Sequence, residues 1–138
     1  MELSKKMYNV LLIEDDPDHI ELISSELKNS RKINKIYVSY DGEEALNFLF
    51  NPQDISEDKL EPLDFILLDL KMPKVDGFQV LKRVKDDPQF RRITTIILTT
   101  STSSDDRQRA ETLGADGYII KDFGSLQMLE DIFRAVCS

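Results

Sequence analysis

Short apolar runs and helical stretches alternate five times along this chain, and that alternation leaves few folds open. Residues 8–13 form an apolar run that stops at Glu14-Asp15-Asp16. Asp16-Pro17 reads as an N-cap followed by proline at the first helical position, and Ile20, Ile23 and Leu27 fall at helical spacing, so the pattern predicts a helix over 17–29. Residues 35–40 alternate, with Ile36 and Val38 on one face, as a less buried strand would. Asp41-Gly42 is a turn, and Ala45, Leu46 and Leu49 mark a helix over 43–50. A third strand over 65–68 ends at Asp69. Phe78, Leu81 and Val84 stripe a helix that stops before Asp87-Pro88. A fourth strand over 93–98 precedes a polar helix over 104–113 anchored by Ala110 and Leu113. A fifth strand over 117–120 is followed by a helix striped by Leu126, Leu129, Phe133 and Val136.

Strands one, three, four and five are nearly continuous apolar runs, as expected where helices cover both faces of a parallel sheet. Five right-handed βα units fit an α/β flavodoxin-like (βα)5 sheet of order 2-1-3-4-5, with the more polar second strand at an edge. The length of 138 residues suits one domain over 1–138. Residues 1–6 are expected to be a flexible N-terminus. Residues 51–63, with two prolines and no periodicity, are expected to be a long loop.

Composition removes several function classes. An excess of 26 acidic over 18 basic residues argues against a nucleic-acid footprint. No apolar run reaches the length of a membrane span, and no signal-peptide core follows the N-terminus. A single cysteine, Cys137, makes no internal disulfide and suits a cytoplasmic setting.

In an open α/β sheet, ligands bind beyond the carboxyl ends of the strands. Strand one ends in Glu14, Asp15 and Asp16, strand three in Asp69, strand four in Thr99, Thr100 and Ser101, and strand five in Lys121. Each alone is an ordinary cap, turn former or surface residue. Together they place acids on adjacent strands and a hydroxyl and a cation on the next two, all at one rim. Clustered carboxylates repel one another unless neutralised, and hard oxygen donors suit Mg²⁺ better than zinc. A carboxylate can also attack phosphorus to give an acyl phosphate, whose oxygens then want a metal, a cation and a hydrogen-bond donor.

The motifs Val10-Leu11-Leu12-Ile13-Glu14-Asp15-Asp16, Leu67-Leu68-Asp69-Leu70-Lys71-Met72-Pro73, Asp76-Gly77, Ile97-Leu98-Thr99-Thr100-Ser101 and Leu113-Gly114-Ala115-Asp116-Gly117-Tyr118, followed by Lys121, run in one order along nearly the whole chain. In that order and spacing the chain resembles the receiver domain of two-component response regulators. Thr-Thr-Ser after strand four and the 51–63 stretch look most like the small stand-alone regulators that partner phytochrome-type histidine kinases. The resemblance implies a two-component signalling protein rather than an enzyme, one that catalyses only its own phosphoryl transfer and dephosphorylation. Asp69 would accept a phosphoryl group from a sensor histidine kinase. Asp15 would bind Mg²⁺ directly, Glu14 through water, and Asp69 and the backbone carbonyl of Lys71 would complete the protein ligands. Thr99 would move to bond the phosphoryl group, Lys121 would pair with it, and Tyr118 would report on the output face. With no further domain after the last helix, output is expected through a homodimer built on helix four, strand five and helix five.

The family usually has Lys-Pro after strand five, whereas Lys121 is followed by Asp122. That carboxylate beside the lysine would displace or partly neutralise it. Two alternatives remain open. One is a pseudo-receiver that binds partners without phosphorylation. The other is an Asp-nucleophile phosphatase on a similar fold, although such phosphatases want a second Asp where Lys71 stands. His19, the one histidine, reads as a surface or partly packed residue of the first helix, and Cys137 as a packing residue at a chain end.

Overall fold

A computed structural model describes residues 6–51 and 62–137. Its elements run β1 (Tyr8–Ile13), α1 (Pro17–Asn29), β2 (Ile33–Ser39), α2 (Gly42–Phe50), β3 (Phe65–Leu68), α3 (Gly77–Asp86), β4 (Thr94–Thr99), α4 (Ser104–Thr112), β5 (Gly117–Ile120) and α5 (Leu126–Cys137). The five strands pair in parallel in the order β2-β1-β3-β4-β5, as the alternation predicts. Most of the 51–63 stretch and residues 1–5 lie outside the described residues.

The period-two side-chain alternation of the central strands divides the core into two layers. Leu11, Ile13, Ile66, Leu68 and Ile97 face α2, α3 and α4, where they meet Ala45, Leu49, Phe78, Leu81, Val84 and Ala110. Val10, Leu12, Phe65, Leu67, Ile96 and Leu98 face α1 and α5, against Ile23, Leu27, Met128, Ile132 and Phe133. Burying one such aliphatic side chain stabilises by roughly 1.5–3 kcal/mol. The two layers therefore fix strand register strongly, because a one-residue slip would exchange their side chains.

Helix starts follow the sequence chemistry. The Asp16 carboxylate accepts from the Asp18 and His19 amides, with Pro17 opening α1. Asp76 and Gln79 form a reciprocal capping box at α3. Gly77 next to it has a packing reason: a Cβ there would overlap the Asp69 carbonyl oxygen, so the loop closes tightly behind Asp69.

Two strand boundaries differ from the expected ones. β2 begins at Ile33 rather than 35, because Ile33 pairs with Tyr8 across a register irregularity between Tyr8 and Asn9. It ends at Ser39, since the Tyr40 amide turns away to the Glu44 carboxylate at 2.9 Å. β4 runs 94–99 rather than 93–98. The Ile93 amide belongs to a turn, bonded to the Phe90 carbonyl, whereas the Thr99 carbonyl accepts from the Lys121 amide at 2.8 Å. The β4 shift matters for function, because it makes Thr99 a strand residue with its backbone tied to that of Lys121.

Candidate functional site

The backbone ladder brings the strand ends into one rim. The Glu14 amide donates to the Ser39 carbonyl and the Asp69 amide to that of Ile13, extending the pairing of β1 with both its neighbours past the last regular residues. Glu14, Asp15, Asp69, Thr99 and Lys121 are thereby placed at the carboxyl edge of the sheet, around the switch point between β1 and β3.

Lys121 is the hub. Its side chain is only 2% exposed, and Nζ donates to Glu14 Oε1 at 2.6 Å and to Asp69 Oδ2 at 3.2 Å. The Glu14 side chain is 1% exposed, and its second oxygen accepts from the Asp16 amide at 3.1 Å. Asp69 Oδ1 accepts from the Leu70 amide at 2.8 Å. Burial pushes the Glu14 carboxyl above the usual carboxylate range; the Lys121 hydrogen bond opposes this, and the Asp69 charge reinforces it.

Asp15 completes the acid cluster from the exposed side. Oxygen atoms of Glu14, Asp15 and Asp69 all lie within 4.8 Å of one another. Three carboxylates against one ammonium leave an electronegative pocket whose hard oxygen donors fit a divalent cation of the Mg²⁺ or Mn²⁺ kind. Lys71 follows in the loop between β3 and α3 with its side chain exposed.

Thr99 is buried, and its Oγ1 accepts from the Ser101 amide at 3.2 Å. Ser101 continues the chain of contacts: its Oγ donates to Asp106 Oδ2 in α4 at 2.7 Å, and its carbonyl accepts from the Tyr118 hydroxyl at 3.0 Å. The half-buried Tyr118 ring also lies beneath the Arg107 guanidinium, 5.5 Å from the ring centroid.

Asp122 does not act on the lysine as its sequence position suggests. No cis peptide bond occurs among the described residues. The Asp122 amide bonds Met128 Sδ, and its charge bears on Glu26 of α1, helping burial to push that carboxyl up. Lys121 is neither displaced nor paired with it.

His19 is the site residue that the sequence reading misses. It is half-buried, with Nδ1 3.0 Å from Lys121 Nζ and 3.9 Å from Glu14 Oε2, Nε2 3.6 Å from Asp16 Oδ2, and its ring 5.0 Å from that of Phe123. The available signal was its place three residues after the N-cap Asp16, which turns it back over the rim.

A parallel 2-1-3-4-5 sheet with an acid cluster, a buried lysine and a hydroxyl at its carboxyl edge defines a signalling receiver of flavodoxin-like fold. The chain belongs to the response regulator receiver domain family, whose family model matches residues 10–133. It is similar to the response regulator Rcp1 of Synechocystis sp. PCC 6803, at 35% identity over 92% of this chain and 82% of that protein. A Mn²⁺-bound form of the response regulator Rcp1 superposes with a TM-score of 0.72 at 34% identity, covering 94% of this chain and 88% of that one. The bacteriophytochrome response regulator AtBRR gives 0.80 at 32% identity over 96% and 91% of the two chains. The phosphorylated cyanobacterial phytochrome response regulator RcpA gives 0.77 at 34% identity over 90% and 87%. The resemblance to phytochrome-type regulators is thus borne out. The chain is a signalling module of two-component systems, and among the described residues no helix is long and apolar enough to cross a membrane.

Proposed function

We propose that this receiver takes a phosphoryl group onto Asp69 from a sensor histidine kinase of the phytochrome type, with Mg²⁺ as its metal. The observation that carries the reading is the Asp69 carboxylate, bonded to the buried Lys121 ammonium and within one pocket of Glu14 and Asp15. An Asp69 oxygen attacks phosphorus, the N–P bond of the donor phosphoimidazole breaks, and the imidazole leaves with the bonding pair and takes up a proton. The phosphoryl group keeps its three terminal oxygens. Lys121 neutralises one of them, and Thr99, moving toward the phosphoryl group, donates its hydroxyl to another. Asp15 and Asp69 would hold Mg²⁺ directly, Glu14 through water, with the Lys71 carbonyl as a further ligand; bound there, the metal supplies charge neutralisation at the phosphoryl oxygens.

The Mn²⁺-bound Rcp1 and the phosphorylated RcpA are similar proteins in which a metal and a phosphate occur, which supports both parts of the reading. The proposal puts the exchange in the cytoplasm, a setting that suits the exposed Cys137 thiol. Output would pass through a homodimer on the face of α4, β5 and α5, which carries Tyr118 with Arg107 and the exposed Ile120.

Intact mass after incubation with acetyl phosphate and Mg²⁺ tests the core of this. One phosphoryl group should be gained, labile to base, and Asp69→Asn should gain none. Labelling that persists in Asp69→Asn removes the assignment, and a wild-type chain that takes no label favours a partner-binding receiver without phosphorylation.

A further inference from the structure

We propose that His19 is a positioning residue: its Nδ1 is the acceptor that keeps the Lys121 ammonium at Asp69 once a divalent cation engages Glu14. The inference deepens the phosphotransfer reading above and rests on it. Its starting point is hydrogen-bond arithmetic. An ammonium has three N–H donors, and Lys121 Nζ has three acceptors within reach: Glu14 Oε1 at 2.6 Å, Asp69 Oδ2 at 3.2 Å and His19 Nδ1 at 3.0 Å. With its side chain only 2% exposed, Lys121 has little water to replace a partner it loses.

Two of those acceptors belong to residues that a bound metal would draw on, Asp69 directly and Glu14 through water. Glu14 and Asp69 belong to the acid cluster, so a dication in the pocket competes for their lone pairs and repels the ammonium as well. The imidazole lies outside that cluster, and it keeps its bond when the carboxylates turn to the ion. Since an ammonium only donates, the contact requires Nδ1 to be unprotonated, which puts the ring proton of neutral His19 on Nε2. Asp16 Oδ2, 3.6 Å from Nε2, lies on the side that favours that tautomer.

The ring is held from two directions. On one side α1 begins at the Asp16 cap, which bonds the His19 amide. On the other, Phe123 packs on the imidazole at 5.0 Å between centroids with a 51° tilt. Phe123 lies two residues after Lys121, so the segment that presents the lysine also fixes the acceptor for it. An apolar residue at position 19 would preserve much of this packing and lose the acceptor. Asparagine would place its Oδ1 the same number of bonds from Cα as Nδ1 and could restore it.

The test joins a spectrum to a rate. The chain has one histidine, so ring ¹⁵N spectra of labelled protein at about pH 8 report His19 without ambiguity. In saturating Mg²⁺, Nδ1 should be the unprotonated, hydrogen-bonded nitrogen, and Lys121→Met should shift its resonance to that of a free acceptor. With acetyl phosphate and saturating Mg²⁺, His19→Leu should label about tenfold more slowly, the size of one lost hydrogen bond to a charged group. His19→Asn should return to within about twofold of wild type, scaled from the same hydrogen bond. An Nδ1 that carries the proton in Mg²⁺, or that ignores Lys121→Met, overturns the proposal. So does a His19→Asn variant as slow as His19→Leu, which would assign the effect to ring packing alone. A wild-type chain that takes no label defeats the phosphotransfer reading instead, and the ring spectra still decide whether His19 holds the lysine.

Discussion

Replacing Lys121 with methionine keeps most of the side chain's length and removes its charge, leaving Glu14 as a carboxylate of 1% exposure without its cation. Removing one partner of a buried ion pair costs about 3–5 kcal/mol, because the remaining charge is neither solvated nor matched. For a domain of this size that is roughly a 10 °C fall in the unfolding midpoint. The loss should depend on pH with a definite sign. Burial already holds the Glu14 carboxyl above its unfolded value, so the native state binds that proton more tightly than the unfolded chain. Stability therefore falls as pH rises through the folded value. Lys121→Met deletes the hydrogen bond that opposes the shift, so the folded value climbs further and the decline extends to higher pH.

Urea unfolding of wild type and Lys121→Met at several pH values measures this directly. The gap between them should be widest near neutrality and narrow toward about pH 3, below the unfolded carboxyl's value, where Glu14 is protonated in both states of both proteins. Adding Glu14→Gln to Lys121→Met should recover most of the loss, because no buried charge remains to be matched. Saturating Mg²⁺ should also recover part of it, a dication replacing the ammonium. Equal stability of wild type and Lys121→Met at pH 8, or a gap independent of pH, would refute the reasoning and mean that Glu14 is not held by that pair.

Other outcomes follow from the same geometry. Mg²⁺ at ten times its Kd should stabilise the wild-type chain by about 1.4 kcal/mol, and a midpoint that ignores both Mg²⁺ and chelator would count against the acid pocket. Thr99→Val should still accept phosphate at Asp69 but lose most of the change in Tyr118 fluorescence; an unaltered response would place the coupling elsewhere. Lys71→Asn should hydrolyse its acyl phosphate faster than wild type, because an amide can orient attacking water whereas Ser101 already spends its hydroxyl proton on Asp106. Equal decay rates would remove that explanation of lifetime. Sedimentation with and without beryllofluoride should reveal dimers, and Ile120→Glu should weaken them; monomers under both conditions would exclude the α4-β5-α5 interface.

The parts of the fold legible in the sequence are those decided by local chemistry. Asp16-Pro17 caps α1 as read, and the apolar runs at 10–13, 65–68 and 96–98 could only be central strands. Strand-end residues were legible as site residues because parallel topology gathers carboxyl ends whatever the side-chain details. What escaped depended on contacts between distant segments. The start of β2 is set by Ile33 meeting Tyr8, which nothing in residues 30–35 encodes. His19, turned over the rim by its place after the Asp16 cap, is held there by the ring of Phe123, about a hundred positions further along. Sequence adjacency misleads at Asp122, whose amide bonds Met128 Sδ. Its charge bears on Glu26, and the neighbouring peptide does not deliver its carboxylate to Lys121.

The contacts around Thr99 explain how a small local event can reach the output face without a change of fold. The Thr99 hydroxyl oxygen accepts from the Ser101 amide, while Ser101 bonds α4 through Asp106 and β5 through Tyr118. The three-residue segment from Thr99 to Ser101 thus joins the reactive rim to α4 and β5, two of the three elements of the proposed dimer face. A phosphoryl oxygen offers the Thr99 hydroxyl a charged acceptor that exists only in the phosphorylated state, which is the differential contact a population shift requires. Such a hydrogen bond is worth about 1.5–3 kcal/mol, or roughly ten- to a hundredfold in a two-state equilibrium. That is enough to cancel a tenfold preference, and at its upper end to invert one, but not to unfold a sheet whose central strands are buried on both faces. The response is therefore expected at Ser101, Tyr118 and the start of α4, with both core layers intact.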